Sequence, residues 1–416
     1  MSGVAFQDRS VHFDVHAVRR QFPALARMIR GKPLAYLDNG ASAQRPIAVI
    51  DAVDDYERHH HANIHRGVHT LSQEATALYE NSRERIARFI NARASREIVF
   101  VRGTTEAVNL VAQSWARPTL EPGDEILITH LEHHANIVPW QMVCDQTGAR
   151  LVIAPIDSRG EVHVEAVTAQ MSPRTRLLAC AHVSNALGTV LPVRRLIAAA
   201  KARGIVTLID GAQAVSHMPV DVQELACDFY AFSGHKMFAP TGIGVLYGRE
   251  ALLERMPPWQ GGGEMILAVT FAKTTYNALP NKFEAGTPNI SGGIGLGAAV
   301  DFLQGLDRGA AHAHEAALLD RATAALGRIE GVRIVGTAPD KAGVVSFVVA
   351  GVHPHDLGTI LDEDGVAIRT GHHCAMPVMD FFKLPATARA SFAFYNTFEE
   401  VDRLAAGVER ARKLFA

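Results

Sequence analysis

The sequence lacks any run of eighteen or more apolar residues, the length a helix needs to cross a bilayer. Its first stretch, Met1–Ser10, lacks the apolar core of a signal peptide, so a cytoplasmic protein is expected. Cysteine is scarce: Cys144, Cys180, Cys227 and Cys374 stand far apart, and none forms a CxxC pair. In a reducing compartment such residues are thiols and not a disulfide framework. Charge of one sign is also missing. The formal net charge is −2, which gives no global field for nucleic acid or a membrane surface. Repeats and low-complexity tracts are absent as well.

What is present suits a soluble globular chain. It has 416 residues, 48% of them hydrophobic and 20% charged, enough for two or three domains with a large core. The spacing predicts a helix over Val11–Leu25 after a disordered residues 1–10, then helices over Pro46–His61 and Leu71–Asn91. From Ile98 the chain alternates. Short apolar strands at Ile98–Val101, Glu125–Thr129, Arg150–Pro155, Arg176–His182, Ile205–Ile209, Cys227–Ser233 and Gly242–Tyr247 are separated mainly by helical segments. That alternation predicts a mostly parallel sheet flanked by helices. Strands at Val344–Val349, Val366–Arg369 and Ala388–Phe392 with further helices predict a smaller α/β domain at the C-terminus. Thr397 and Glu400 have the spacing of a capping box, which opens a last helix.

Lys236 is the residue that the pattern makes hardest to treat as structural. It follows an apolar strand and the small and polar residues Ser233, Gly234 and His235. A lysine at the end of a core strand is costly unless it has a task, and one such task is a Schiff base made by a desolvated amine. Upstream, the strand Ile205–Ile209 delivers Asp210 at its carboxyl end, where ligands bind in open α/β sheets. Downstream, Cys374 sits in a basic loop with Arg369, His372 and His373. Neighbouring positive charge favours the thiolate, which is the nucleophile. Lysine, aspartate and cysteine together suggest pyridoxal phosphate and a sulfur nucleophile. Thr104 and Thr105 lie where a strand passes into a helix, a place suited to a phosphate. Arg389, at the start of a core strand, suits either a carboxylate or a structural ion pair. The histidine run His59-His60-His61 and the stretch His372-His373-Cys374 are not expected to bind metal, because adjacent side chains do not readily close one coordination shell.

Seven stretches carry a resemblance: Arg102–Glu106, Glu132–Trp140, His182–Asn185, Asp210–Gln213, Ser233–Lys236, Glu284–Pro288 and Arg369–Pro377. In this order they resemble the group II (SufS-like) cysteine desulfurases, a group that includes selenocysteine lyases, within the class V aminotransferase family. The resemblance implies the fold type I of pyridoxal phosphate-dependent transferases. It implies a large cofactor domain, 31–300, and a small domain, 11–30 with 301–416, that carries the cysteine loop. It implies that Lys236 holds the cofactor, that Asp210 pairs with the pyridinium, that Gln213 lies near the phenolic oxygen and that His133 stacks on the ring and moves protons. The phosphate falls to Thr104, Thr105, Ser233 and His235, with Thr287 reaching in from a second subunit. Asn185 and Arg389 would grip the substrate carboxylate, Arg369 would lie beside them, and His65 and Arg66 would stand near the partner's site. Cys374 would take sulfur from L-cysteine, or act with L-selenocysteine, releasing alanine. The persulfide sulfur would pass to a separate acceptor of the SufE or SufU type, for iron–sulfur cluster assembly, from a cytoplasmic homodimer. Selenocysteine lyase is the same-fold alternative. An aminotransferase, which needs no Cys374, and a silent sulfur carrier are more distant ones. Gly40 departs from the alanine usual in the family.

Overall fold

A computed structural model describes residues 13–415; the stretch 1–10 expected to be disordered lies outside them. The larger sheet has seven strands: β1 (Ile98–Val101), β2 (Glu125–Thr129), β3 (Arg150–Ala154), β4 (Thr175–Ala181), β5 (Val206–Asp210), β6 (Phe229–Ser233) and β7 (Gly244–Gly248). Their order is β1-β7-β6-β5-β4-β2-β3. Only β7 is antiparallel, pairing with β1 and β6; the other pairs are parallel. Most of these strands are apolar throughout because both faces are covered. Successive side chains enter opposite cores. Leu178, Ile209, Tyr230 and Phe232 pack on one face, and Leu177, Leu208, Phe229 and Ala231 on the other, as the two-residue period of a strand requires. Since β1, β2, β4, β5 and β6 point the same way, their carboxyl ends gather Gly103, His133, Asp210 and Lys236 along one edge.

The smaller sheet is antiparallel, in the order β8 (Val332–Val335), β9 (Val344–Val349), β11 (Thr387–Ser391), β10 (Arg369–Gly371). Helices Arg308–Gly327, Pro354–Glu363 and Phe398–Leu414 supply Leu318, Leu361 and Leu404 to its core. Ala35 and Leu37 belong to that core too. The strand Ala35–Tyr36 pairs with Val366–Ala367. The last helix opens on the expected capping box, in which Thr397 and Glu400 bond reciprocally.

Two helices differ from expectation. The first covers only Val15–Arg19, with a separate 3-10 turn at Pro23–Ala26. Pro23 disfavours helical backbone at the residue before it, and Phe22 is extended at φ −113°. The segment still packs on the C-terminal part. Arg19 meets Glu400 at 2.8 Å and Phe22 lies against Tyr395. The helix after β1, for which the sequence pattern predicts Glu106–Trp115, begins at Thr104, which places both threonines in its first turn.

Arg83, nearly inaccessible, donates two hydrogen bonds to Glu284, at 2.6 and 2.9 Å, and one to the carbonyl of Ile98. Glu284 also accepts from the Phe100 N–H. This pair fixes the stretch leading to Thr287. Without Glu284 the buried Arg83 keeps only the more exposed Glu80 as an anionic partner, at 2.9 and 3.2 Å, and losing one partner of a buried ion pair is costly. We expect Glu284→Ala to cost about 3–5 kcal/mol, read as a fall in the urea midpoint at unchanged slope; a change below about 1 kcal/mol would contradict the buried-pair assignment.

Candidate active site

A cavity of about 200 Å³ opens at the carboxyl edge of the large sheet, walled on the other side by the small one. Lys236 ends the short turn Gly234–Lys236 that follows β6. Burial pushes its ammonium down to about 8, against the pull of Asp210. Asp210 ends β5, is buried, and accepts the Ala212 N–H at 2.9 Å. Burial raises its carboxyl above the usual range and Lys236 partly offsets this. One wall therefore joins an amine that deprotonates readily to a buried carboxylate.

Thr104 opens the helix after Gly103. Its N–H donates to Ser233 Oγ at 2.9 Å, and the two hydroxyls are also 2.9 Å apart. Gly103 has φ 154° and a Cβ there would stand 3.0 Å from Ser233 Oγ, so glycine permits this close approach. Thr105 and His235 line the same end of the chamber. Burial, Lys236 and Arg45 push His235 down to about 4, leaving it neutral. His133 is likewise pushed down to about 4, by burial and then Lys236. Its Nδ1 accepts the Ala135 N–H at 3.0 Å, which leaves its proton on Nε2. Gln213 donates through Nε2 to the Gly40 carbonyl at 2.7 Å.

Arg389 is buried. It donates to the Asn185 carbonyl at 2.9 Å and to Asp38 at 3.2 Å, while its Nε has no partner among the described residues. The ion pair considered from sequence exists, but it leaves guanidinium N–H capacity unmet at the cavity wall. One Asn185 N–H donates to the His373 carbonyl at 2.5 Å, so Asn185 also fastens the cysteine loop.

Cys374 is the one exposed cysteine. It lies between β10 and the helix Met376–Phe381 and lines the cavity. His373 and Cys374 both have left-handed backbone, φ 54° and 55°, which costs of order 1–3 kcal/mol per residue. Contacts hold them there: the His134 N–H donates to the Cys374 carbonyl at 2.8 Å, the Met376 N–H to His134 Nε2 at 3.1 Å, and His373 Nε2 meets Thr387 Oγ1 at 2.8 Å. His373 does not supply the positive charge expected of it. Burial, Arg389 and Arg369 push it down to about 3, so it is neutral near pH 7. The other three thiols are pushed up by burial, Cys144 to about 11 and Cys227 to about 12.

Three expected residues lie outside this cavity within the chain. His65 meets Glu80 at 2.9 Å, and Arg66 meets Glu264 at 3.0 Å. Thr287 lines a second cavity, of about 490 Å³, with Arg102 and Trp259. Of the histidine run, His59 and His60 pair with Asp55 and Glu74. Among the described residues the group with metal-ligand proximity is Asp157, Glu161 and His163, none of which lines the cavity. Two residues given no role from sequence belong to the site. Glu132 is buried and accepts from Thr129 Oγ1, Asn136 Nδ2 and the Ala181 N–H, bracing the turn that carries His133. Asp38 holds Arg389 and stands 3.9 Å from Arg369. A carboxylate just past a strand end was the available signal for both.

These donors fit pyridoxal phosphate. The helix N-terminus with Thr104, Thr105 and Ser233 suits a phosphate, Asp210 suits a pyridinium, Lys236 an aldehyde, and the unpaired Arg389 Nε a carboxylate.

Residues 35–404 match the aminotransferase class-V family. A cysteine desulfurase of Serratia proteamaculans is 53% identical over 403 residues, covering 97% of this chain and 99% of its own. A probable cysteine desulfurase of Vibrio cholerae is 51% identical over 398 residues, covering 96% and 98%. The crystal structure of the Escherichia coli cysteine desulfurase CsdA (S-sulfonic acid) superposes with a TM-score of 0.91 at 43% identity, covering 97% of this chain and 100% of that one. By match length and identity, this chain belongs to the aminotransferase class-V family.

Proposed function

We propose that this chain is a pyridoxal phosphate-dependent cysteine desulfurase that converts L-cysteine to L-alanine and takes the sulfur on Cys374. One observation carries the reading: Lys236, Asp210, Arg389 and the exposed Cys374 line a single cavity. Full-length identity to cysteine desulfurases supports it. An aminotransferase would have no use for the thiol at the cavity wall.

The bound cofactor supplies an electron sink that stabilises negative charge at the substrate Cα. The chain does the rest. Arg389, and Arg369 beside it, bind the substrate carboxylate, and Asn185 holds the loop that faces it. Asp210 keeps the pyridinium protonated. The Lys236 amine, neutral above about pH 8, removes the Cα proton. His133 is neutral and presents an Nε2–H to the cavity, so it acts as a donor in proton transfer and not as a cation. The Cys374 thiolate attacks the substrate sulfur. An S–S bond forms as Cβ–S breaks and the electron pair stays with carbon; a proton on Cβ completes the methyl group, and a proton returned to Cα completes alanine. The persulfide sulfur then passes to a separate acceptor of SufE or SufU type for iron–sulfur assembly. L-selenocysteine would enter by the same contacts. Alanine release from each amino acid, with and without a persulfide acceptor, tests the function; failure to release alanine from L-cysteine overturns it.

Cofactor capture gives a pH prediction. The amine attacks only when neutral, so its rate with cofactor-free protein should rise with pH and level off above about 8. Rapid-mixing absorbance checks this; a rate still climbing towards the usual lysine pKa of about 10.4 would contradict the lowered value.

The active unit is a homodimer in this reading. Thr287, His65 and Arg66 lie outside their own chain's cavity, and the hairpin Ile266–Tyr276 exposes Leu267, Val269 and Phe271, an apolar patch that suits an interface. Sedimentation at high dilution should show a dimer; a fully active monomer would contradict it. The compartment proposed is the cytoplasm, and among the described residues no helix is long and apolar enough to cross a membrane.

A further inference from the structure

Asp210 ends β5, and the chain then winds through 211–218. The Ala214 and Val215 N–H groups donate to the Gly211 carbonyl, and the His217 and Met218 N–H groups donate to the Ala214 carbonyl. The near end of this stretch lines the cavity through Ala212 and Gln213. It is tied to the smaller sheet by way of Gly40: Gln213 donates to the Gly40 carbonyl, and the Gly40 N–H donates to Ser391 Oγ on β11. The far end meets helix Arg308–Gly327, which packs on the same sheet. There His217 Nδ1 stands 2.9 Å from Glu315 Oε2, with the two side chains only 8% and 5% exposed. Arg308, two turns earlier on that helix, donates to the Met218 carbonyl at 3.0 Å and lies over the Phe89 ring. Gly343, the residue before β9, encloses the imidazole from another side; a Cβ there would stand 3.1 Å from His217 Cε1.

We propose that His217, Glu315 and Arg308 are positioning residues for the cofactor: they clasp the far end of 211–218 to the helix of the smaller sheet, so that Asp210 and Gln213 keep one placement relative to Arg389 and the Cys374 loop. The inference rests on the reading of the cavity as the cofactor site with Asp210 at the pyridinium; sulfur chemistry does not enter it. None of the three residues lines the cavity, so each acts through the stretch that it holds. The smaller sheet carries Arg389 on β11, and the Cys374 loop follows β10. Tying both ends of 211–218 to that sheet links the acid beneath the cofactor to the groups that face it.

An ion pair is a costly way to fill this space. Apolar side chains of similar volume stabilise a buried site as well or better. What the pair adds is direction, since a short hydrogen bond between two enclosed side chains admits one arrangement. Burial works against a charged imidazole, but Glu315 outweighs it and raises His217 above the usual histidine value, which favours the ionised pair.

Glu315→Gln tests the clasp. It keeps the shape of the side chain and removes its charge. The buried imidazole, left without a counter-ion, gives up its proton, so the pair stays neutral as a unit and its effect on the cofactor is one of placement. Two readouts are taken on the full chain, and neither is turnover. Cofactor-free protein is titrated with pyridoxal phosphate and the absorbance spectrum of the loaded protein is recorded. Amide hydrogen exchange of the cofactor-free protein is followed peptide by peptide. The apparent dissociation constant should rise about tenfold, as when a hydrogen bond between charged groups is slackened, and the absorbance maximum should move. Amides of 211–218 should exchange faster while those of Val344–Val349 keep their wild-type rate. Arg308→Gln, at a half-buried side chain, covers the case in which Glu315→Gln does not fold and should move the same readouts in the same direction. A merely structural pair would speed exchange in Val344–Val349 as well and leave the cofactor's affinity and spectrum unmoved. An affinity within twofold of wild type with an unchanged spectrum, in either folded variant, overturns the proposal. Failure of the desulfurase reading shows separately, in alanine release from L-cysteine by the wild-type protein.

Discussion

Lys236→Ala should lose covalent attachment of the cofactor and at least about 10⁴-fold of turnover with L-cysteine. In the proposed function the side chain has two tasks, holding the aldehyde and removing the Cα proton, and alanine performs neither. The loss should not come from unfolding. Among the described residues the amine makes no hydrogen bond that braces the fold, and burial works against its charged form, pushing it down to about 8. Removing a group that is costly to desolvate leaves the two cores of the large sheet intact. Circular dichroism and the urea midpoint should therefore stay near wild type while the cofactor washes out on desalting. A variant that retains covalently bound cofactor and normal activity would refute the assignment.

Cys374→Ala should separate sulfur transfer from cofactor chemistry. The thiol is exposed, between β10 and the helix Met376–Phe381. The contacts that hold the loop come from main-chain atoms of Cys374 and Met376 and from the side chains of His373, His134 and Asn185. Alanine preserves all of them. The variant should keep its cofactor and bind L-cysteine, but lose on the order of 10³-fold or more in alanine release, since nothing accepts the sulfur. L-selenocysteine should be spared by comparison, because a selenol is more acidic than a thiol and its selenium leaves more readily. Alanine quantitation with both amino acids reads the asymmetry. Wild-type turnover of L-cysteine would remove Cys374 from the mechanism. Loss of cofactor would make the loop a structural element of the cofactor pocket.

Much of this was legible because the chemistry is punctuated by strand ends. Asp210 and Lys236 each follow an apolar run, and the runs were readable as strands buried on both faces. The helix carrying Thr104 and the capping box at Thr397 follow from local pattern in the same way. What escaped the sequence is tertiary. Asp38 meets Arg389 across 351 positions of chain, and no local pattern pairs them. Asn185 reads as a substrate ligand, yet it also donates to the His373 carbonyl from the far side of the site. His373 reads as a cation beside Cys374, but burial and two arginines hold it neutral. That leaves Arg369 as the fixed positive charge of the cysteine loop's own stretch. The short first helix escaped for a local reason, since Pro23 outweighs an apolar spacing that would otherwise have continued.

The central claim is that the cofactor cavity and Cys374 act as one sulfur-transfer site. A single turnover of the purified holoenzyme with L-cysteine, without any acceptor or reductant, tests it most directly. The products are alanine and the intact protein, the latter digested and weighed peptide by peptide. The account predicts alanine in equal amount to the occupied sites, and one added sulfur atom on the peptide that contains Cys374 and on no other. Alanine formed without that added sulfur, or sulfur carried on Cys144, Cys180 or Cys227, would contradict it.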